Sequence, residues 1–103
     1  MLVNLLVELI GTFLFVYIFL HINSNSSTIF KNPTLKVATI CFALFAIMLI
    51  FGSISGGYFN PAVIVAKMFN KSIDITKGLL YILIQLFGGF LAYYLWENVN
   101  KIK

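Results

Sequence analysis

The sequence predicts an all-α membrane protein built from three transmembrane helices and one re-entrant half-helix. The first observation is composition, because 61% of the 103 residues are hydrophobic and 10% are charged, with a mean hydropathy of +1.02. A soluble domain of this size needs a largely polar surface, which this composition does not supply. The second observation is that three apolar runs approach or reach the length that crosses a bilayer. Residues 1–103 are too few to favour a second domain, so we expect a single unit.

The ionisable residues argue against several classes of function. All seven basic residues are lysine, so no guanidinium is available to read phosphates or base edges, and nucleic-acid binding is not expected. The single cysteine, Cys41, forms neither an internal disulfide nor a metal cluster, and we expect a buried, inert thiol. The single histidine and three carboxylates assemble no catalytic constellation. We therefore expect no enzyme, no metal and no cofactor, and expect His21 at the membrane interface.

The first predicted transmembrane helix covers residues 2–22. A helix of 21 residues extends about 31 Å, enough for a hydrocarbon core of about 30 Å. A secretory signal peptide is the alternative, but the run is too long and lacks both a basic start and a small-residue cleavage site. Residues 23–36 follow, with an Asn/Ser-rich stretch and Asn32-Pro33, which is typical of turns in an aqueous loop.

Two further apolar runs, residues 37–52 and 75–96, predict the second and third transmembrane helices. The second run is apolar except for Thr39, and it ends in a glycine-rich break. The third is preceded by Ser72 and Asp74, either of which can cap its N-terminus. The residues after position 96 form a short polar tail that we expect at the interface.

The intervening stretch, residues 53–70, fits neither a spanning helix nor an ordinary loop. Asn60-Pro61 is typical of a helix start, because Asn is a favoured N-cap and Pro at the first helical position gives up no needed hydrogen bond. A helix from Pro61 to about Phe69 extends about 13 Å, half a bilayer. We expect residues 52–59 to enter the membrane as extended chain and the half-helix to return to the same side. A surface loop followed by an interfacial helix is the alternative.

Two polar side chains inside apolar spans are expected to support this stretch. Glu8 shares a face of the first helix with Thr12, and Gln85 lies among small residues on the third. An unpaired polar group in a span is costly, so we expect the amides of residues 52–59 to donate to Glu8. The alternative is that Glu8 lies close enough to the interface to snorkel. Close helix crossings are expected at four small residues, Gly11, Gly52, Gly88 and Gly89.

The same residues carry a resemblance to a known family. A nine-residue segment resembles the signature loop of the aquaporin, or major intrinsic protein, family in its first-half form: Ser55-Gly56-Gly57-Tyr58-Phe59-Asn60-Pro61-Ala62-Val63. Residues 8–13 resemble the family's first helix, with its glutamate and Gly-Thr pair. The third predicted helix resembles the family's third through Tyr81, Gln85, Gly88 and Gly89. The resemblance covers nearly the whole chain and implies a membrane channel for water or small uncharged solutes.

The resemblance also implies roles for the loop residues. Asn60, in its triplet with Pro61 and Ala62, donates hydrogen bonds to the oxygen of the passing solute. In the family's complete pore two half-helix tips oppose each other, and their positive ends repel cations and protons while they still bind neutral dipoles. A ladder of carbonyl acceptors leads to Asn60, from Gly56, Gly57, Tyr58 and Phe59.

The sequence departs from that family's pattern in the loop and at the expected constriction. Tyr58 stands where the family commonly has His, and Gly57 where it has Ala. The family's second repeat carries an arginine after its Asn-Pro-Ala, whereas this chain has Val63 after Ala62. The constriction aromatic of the second helix falls at Ile40, close to Phe42. The resemblance therefore assigns neither the solute nor proton exclusion.

One repeat is half of the family's pore, so the resemblance implies association with a second half within a lipid membrane. An antiparallel homodimer reproduces the inverted repeat, a complementary chain supplies the other half, and the family's tetramers imply higher oligomers. A truncated or non-conducting protein that assembles with a full-length relative is the other alternative. A nearly even lysine distribution favours dual topology. One side carries the N-terminus with Lys67, Lys71 and Lys77, and the other carries Lys31, Lys36, Lys101 and Lys103.

Overall fold

Helices make up nearly all of the described chain. The structure, a computed structural model, describes residues 1–24 and 31–102. Residues 25–30 of the expected aqueous loop lie outside this description, as does Lys103. The all-α fold class that the sequence predicts is confirmed. Within the described ranges there are four helices and no strand, namely α1 (Leu2–Ile22), α2 (Pro33–Ser55), α3 (Pro61–Phe69) and α4 (Ile75–Ile102).

The three long helices have the length and composition of membrane spans. The most apolar windows of α1, α2 and α4 have mean hydropathies of 2.2, 2.6 and 1.7. Helices of 21, 23 and 28 residues extend about 31, 34 and 42 Å, against a hydrocarbon core of about 30 Å. α3, with 9 residues, reaches about half that thickness, and its bounds match the half-helix expected from the sequence.

α2 begins at Pro33, earlier than the expected position 37, and the interpretation of Asn32-Pro33 as a turn was wrong. The Asn32 Oδ1 accepts hydrogen bonds from the N–H groups of Thr34 at 2.8 Å and Leu35 at 3.3 Å. Pro33 occupies the first helical position, where its missing N–H costs nothing. The same dipeptide therefore starts both α2 and α3.

α2 also continues past Gly52 to Ser55, where extended chain was expected. Gly56 ends the helix in the left-handed conformation, with φ at 100°, and its N–H donates to the Gly52 carbonyl at 2.9 Å. Glycine adopts this conformation without the clash that a Cβ would cause. The non-helical connection is consequently only residues 56–60.

α4 starts at Ile75 as expected but runs to Ile102, beyond the expected end at position 96. Asp74 caps its first turn, because its Oδ2 accepts a hydrogen bond from the Lys77 N–H at 3.2 Å. Hydropathy marks only the part of a helix that suits the membrane. Since no Gly or Pro follows Trp96 in the sequence, nothing in the chain stops the helix there.

α1 is the central helix of the bundle. It packs against α2 and α4, while α3 packs against α4. The crossing of α1 and α4 is close at Gly88, where an added Cβ would lie 3.0 Å from the Leu9 carbonyl oxygen. Gly89 and Gly52 do not lie at comparably close crossings, contrary to expectation. An added Cβ at Gly89 would be 3.9 Å from Val16, and one at Gly52 would meet nothing within 4 Å.

The chain between α2 and α4 turns back inside the bundle. Phe59, just before α3, is 5% exposed, and Ile64 in α3 is fully buried. The Phe59 ring lies against Gly11 of α1, which is about 14 Å along that helix from Leu2. The surface loop of the alternative is therefore wrong, because the turn reaches the middle of α1, while the depth of α3 in a membrane stays a prediction.

The outer surface is apolar, and α2 is the least covered helix. Other parts of the chain bury 6% of its apolar window, against 28% for α1 and for α4. Cys41 on α2 is exposed, so the expectation of a buried thiol was wrong. An apolar surface of this extent needs lipid or another protein around it.

Candidate functional site

Glu8 anchors the segment between α2 and α3. Its side chain is fully buried, so the snorkelling alternative is wrong. Oε2 accepts hydrogen bonds from the Ser55 hydroxyl and, at 3.2 Å, from the Tyr58 N–H. Oε1 accepts from the Phe59 N–H at 2.9 Å and from Gln85 Nε2 at 3.0 Å. An ionised carboxylate offers about four acceptor sites, and donors from α2, α4 and the connecting segment fill them.

Ser55 extends this network into the backbone at the end of α2. Its hydroxyl donates to Glu8 and accepts from the Gly57 N–H at 3.2 Å. One residue therefore ties the end of α2 to α1 and to the segment that follows. Thr12 Oγ1 and Gln85 Oε1 are buried without a hydrogen-bond partner among the described residues.

The N–H groups and carbonyls of the connecting segment lie on opposite sides. The N–H groups of Gly57, Tyr58 and Phe59 all donate to the Ser55–Glu8 anchor. In a trans peptide the carbonyl of the preceding residue points away from the N–H. The carbonyls of Gly56, Gly57 and Tyr58 therefore point away from Glu8, and within residues 1–24 and 31–102 none of them accepts a hydrogen bond. The Phe59 carbonyl belongs to the next peptide, which the anchor does not orient.

Left-handed backbone makes this arrangement possible. Gly56 has φ at 100° and Gly57 at 64°, conformations that glycine adopts freely. A Cβ at Gly57 would also lie 3.0 Å from the Gly52 Cα, so the segment passes close over the last turn of α2. At both positions glycine is required by conformation or by space.

Phe59 adopts φ of 49°, which costs a residue with a side chain about 1–2 kcal/mol. Its surroundings compensate for that cost. The ring packs edge to face on Phe51 at 6.4 Å between centroids, and a Cβ at Gly11 would overlap it at 2.1 Å. The strained residue is thus fixed by its hydrogen bond to Glu8 and by a site on α1 that only glycine leaves open.

Asn60 lies at the tip, between the connecting segment and α3. Its Oδ1 accepts a hydrogen bond from the Ala62 N–H at 2.9 Å, and Pro61 is the first helical residue. This bond orients the amide, so Nδ2 points away from α3; it meets no acceptor in the described chain, and Asn60 is exposed. The N-terminus of a helix also carries about half a positive charge. The tip therefore presents amide hydrogens beside a positive dipole.

A model of a known family matches nearly the whole chain. The model described as "Major intrinsic protein" matches residues 1–102. The chain belongs to the major intrinsic protein family. Family membership and the three candidate spans make it a multi-pass integral membrane protein.

The curated relatives of this family member are longer proteins. The chain is 39% identical to Aquaporin-B of Dictyostelium discoideum, over 82% of this chain and 30% of that protein. It is 34% identical to Glycerol uptake facilitator protein-like 6 of Lactiplantibacillus plantarum, over 84% of this chain and 39% of that protein. It is 33% identical to Aquaporin TIP2-1 of Arabidopsis thaliana, over 92% and 41%. The chain thus spans 30% to 41% of these relatives' lengths. No solved structure matches it.

Tyr58, which departs from the family pattern, belongs to a cluster of two tyrosines and two lysines. Lys67 Nζ lies 5.3 Å from the Tyr58 ring centroid, and Lys77 Nζ lies 5.6 Å from that of Tyr81. The two rings are 6.0 Å apart. Each such cation–π contact is worth about 0.5–2 kcal/mol, more as water is excluded. The sequence alone did not predict this cluster, because it forms only when α3 packs on α4.

One copy of this family member does not bring together its two constriction candidates. Ile40 lies in the first third of α2, about 22 Å before Ser55. Val63 is 41% exposed and lies in the first turn of α3, and α2 and α3 do not pack against each other in the described structure. The candidates therefore lie at different levels of the bundle.

The site offers hydrogen bonds rather than reactive groups. Among the described residues no three His, Cys, Asp or Glu side chains lie close enough to hold a metal ion. The acceptor capacity of Glu8 is already used by the protein. What remains for a visiting molecule is the Asn60 amide and the carbonyls of Gly56, Gly57 and Tyr58, a set that suits a small polar solute.

Proposed function

We propose that the chain is a channel subunit for the passive transport of water or small uncharged solutes, in a pore that a second half repeat completes. The observation that carries the proposal is the exposed Asn60 amide beside carbonyls that form no internal hydrogen bond. A polar solute at this tip exchanges its bonds to water for bonds to the protein, whereas a cation meets the positive end of α3.

The proposed pore residues divide into those that line the path and those that hold them. Glu8 and Gln85 are positioning residues, because they act through the backbone of the connecting segment. The proposed lining comprises Gly56, Gly57, Tyr58, Phe59, Asn60, Pro61 and Ala62.

An inverted second unit supplies what one unit lacks. Ile40 lies about 10 Å from the start of α2, and Val63 lies about 9 Å from the end of α3. α2 starts on the side of the bundle opposite the end of α3, so inversion brings Ile40 of one unit to the level of Val63 of the other. The second unit is another copy, a complementary chain or a further part of a longer chain. The even lysine distribution supports the antiparallel copy.

The second candidate function is a non-conducting one, in which the chain assembles with a full-length or complementary aquaporin chain. The observation that favours it is the apolar surface of α2, which the rest of the chain leaves uncovered. Such a surface suits either lipid or a second protein. A transport measurement separates the two functions.

The deciding experiment is stopped-flow osmotic shrinkage of vesicles that contain only the purified chain. We expect water flux above that of empty vesicles, and loss of this gain in Asn60→Asp. The substitution keeps the oxygen that caps α3 but removes the amide hydrogens and adds a negative charge. Decay of a pH gradient in the same vesicles reports whether protons also pass.

Asn32→Asp is the matched control, since it makes the same chemical change at the start of α2. We expect it to retain the water flux of the unaltered chain. Well-inserted protein without flux would contradict the self-sufficient channel and favour either a complementary half from another chain or the non-conducting role. Equal loss of flux in both variants would contradict the specific role of Asn60.

A further inference from the structure

The lysine and tyrosine cluster lies beside the connecting segment, near the end of α3 and the start of α4. We propose that Lys67 and Lys77, held on Tyr58 and Tyr81, form a cation-repelling rim at this mouth of the path. The rim admits small neutral solutes and rejects small monovalent cations. This inference rests on the proposed function, because it requires a solute path beside residues 56–60.

The contacts place positive charge next to that path. The Tyr58 ring folds back over the connecting segment, so that a Cβ at Gly56 would lie 2.5 Å from the Tyr58 Cζ. Lys67 Nζ lies 5.3 Å from the centroid of this ring. The ammonium group is therefore one ring away from the backbone whose carbonyls are the proposed acceptors. Tyr81 packs on Tyr58 at 6.0 Å and holds Lys77 in turn.

Carboxylates do little to neutralise the two lysines. Neither lysine forms an ion pair among the described residues. Glu8 lies behind the connecting segment with its oxygens occupied, and Glu97 lies near the other end of α4. Asp74 is the acidic group at this side, where it caps α4 through the Lys77 N–H. We therefore expect Lys67 to contribute more to cation rejection than Lys77.

Burial distinguishes these two lysines from another on the same side. Lys67 and Lys77 are half-buried, whereas Lys71, between α3 and α4, is exposed and makes no ring contact in the described structure. An ammonium on an aromatic face is restrained, while an exposed one moves freely in water and is screened. Lys71 is consequently a control that carries the same charge on the same side.

Electrostatics sets the expected size of the effect. For an ammonium about 8 Å from the path, in a medium of effective dielectric about 40, removal raises local cation concentration about twofold at physiological ionic strength. At an ionic strength of about 0.01 M the Debye length is about 30 Å, and the same change is about fourfold. The dependence on salt separates a charge effect from a change in pore width.

The experiment measures sodium and water permeability on the same zwitterionic vesicles, at both ionic strengths, for the unaltered chain and for Lys67→Gln, Lys77→Gln and Lys71→Gln. The ratio of the two permeabilities does not depend on how much protein inserts correctly. We expect this ratio to rise about twofold in Lys67→Gln, less in Lys77→Gln, and to stay constant in Lys71→Gln, with larger changes at low salt. Lys67→Arg should keep the original ratio.

Three outcomes overturn the inference in distinguishable ways. Water flux in every variant with an unchanged ratio would show that the rim does not act on cations, and would leave the proposed channel intact. An equal rise in Lys71→Gln would assign the effect to general surface charge. Absence of water flux in the unaltered chain would overturn the pore built from copies of this chain, and this inference with it.

Discussion

Asn32-Pro33 and Asn60-Pro61 start α2 and α3 with the same N-cap and the same first helical residue. At each start the asparagine Oδ1 accepts a backbone hydrogen bond from the residue two positions ahead, at 2.8 Å from Thr34 and 2.9 Å from Ala62. Both asparagines are exposed in the single chain. The local chemistry of the two starts is thus nearly the same.

The difference lies in what holds each start in place. Asn32 is fixed by its own helix and follows a polar stretch of sequence. Asn60 follows a segment whose backbone is bound to Glu8 and whose Phe59 ring is wedged against Gly11. Long-range contacts therefore carry the second helix start to the middle of the bundle. The dipeptide makes a helix start, and the Glu8 anchor makes that start a candidate solute site.

Glu8→Gln should have the largest effect, because it removes the anchor that distinguishes the start of α3 from the start of α2. The carboxylate accepts hydrogen bonds from four donors. Gln replaces one of its oxygens by an amide nitrogen, which is itself a donor and cannot accept these hydrogen bonds. Each buried donor left without an acceptor costs about 1–3 kcal/mol, so we expect a loss of about 3 kcal/mol in the free energy of unfolding. Denaturant titration in detergent micelles measures this loss, and water flux should disappear with it.

Glu97→Gln is the control for that substitution, because Glu97 is half-buried on α4 and makes no side-chain hydrogen bond in the described structure. We expect its free energy of unfolding to change by less than about 0.5 kcal/mol. A similar loss in both variants would argue against Glu8 as a specific anchor.

Gly88→Leu should weaken the packing of α4 against α1, the helix that carries Glu8. We expect a smaller loss of stability than for Glu8→Gln. The added side chain meets the Leu9 carbonyl oxygen of α1, and a backbone atom in a packed helix cannot move aside. Overpacking of this kind costs about 1–3 kcal/mol. We expect α1 and α4 to separate and assembly to fail, as measured by size-exclusion chromatography in detergent.

Gly52→Leu provides the contrast, since a Cβ there meets nothing within 4 Å. We expect it to assemble like the unaltered chain. Normal assembly of Gly88→Leu would contradict the close crossing of α1 and α4.

The two helix starts also show how far the sequence alone could predict the fold. Asn60-Pro61 was interpreted correctly because an apolar stretch of half-membrane length follows it. Asn32-Pro33 was not, because the polar residues before it favoured a turn, although the N-cap signal was the same. Local propensity marks where a helix is able to begin, while tertiary packing decides where it does.

The candidate site, like the fold, could be predicted from the sequence only in part. Glu8, Gln85 and Gly88 were predictable, because polar and small residues on one face of an apolar helix require close partners. The close crossings expected at Gly52 and Gly89 were not found. The extension of α2 to Ser55 was not predictable, because the hydroxyl is held by a residue 47 positions away. The stacking of Lys67 on Tyr58 was missed for the same reason, since it depends on the turn and on α3 together.

Asn60→Ala and Asn32→Ala should have the smallest effects on stability. They should also separate the two helix starts most clearly, because only one of the variants should lose water flux. Each removes an N-cap oxygen, and each should lower the free energy of unfolding by about 1 kcal/mol. Only the alanine at position 60 also removes the free amide hydrogens from the proposed path. Denaturant titration should therefore give similar losses for the two variants, while stopped-flow shrinkage should show reduced water flux for Asn60→Ala alone. Reduced flux in proportion to stability in both variants would mean that Asn60 acts as a helix cap and nothing more.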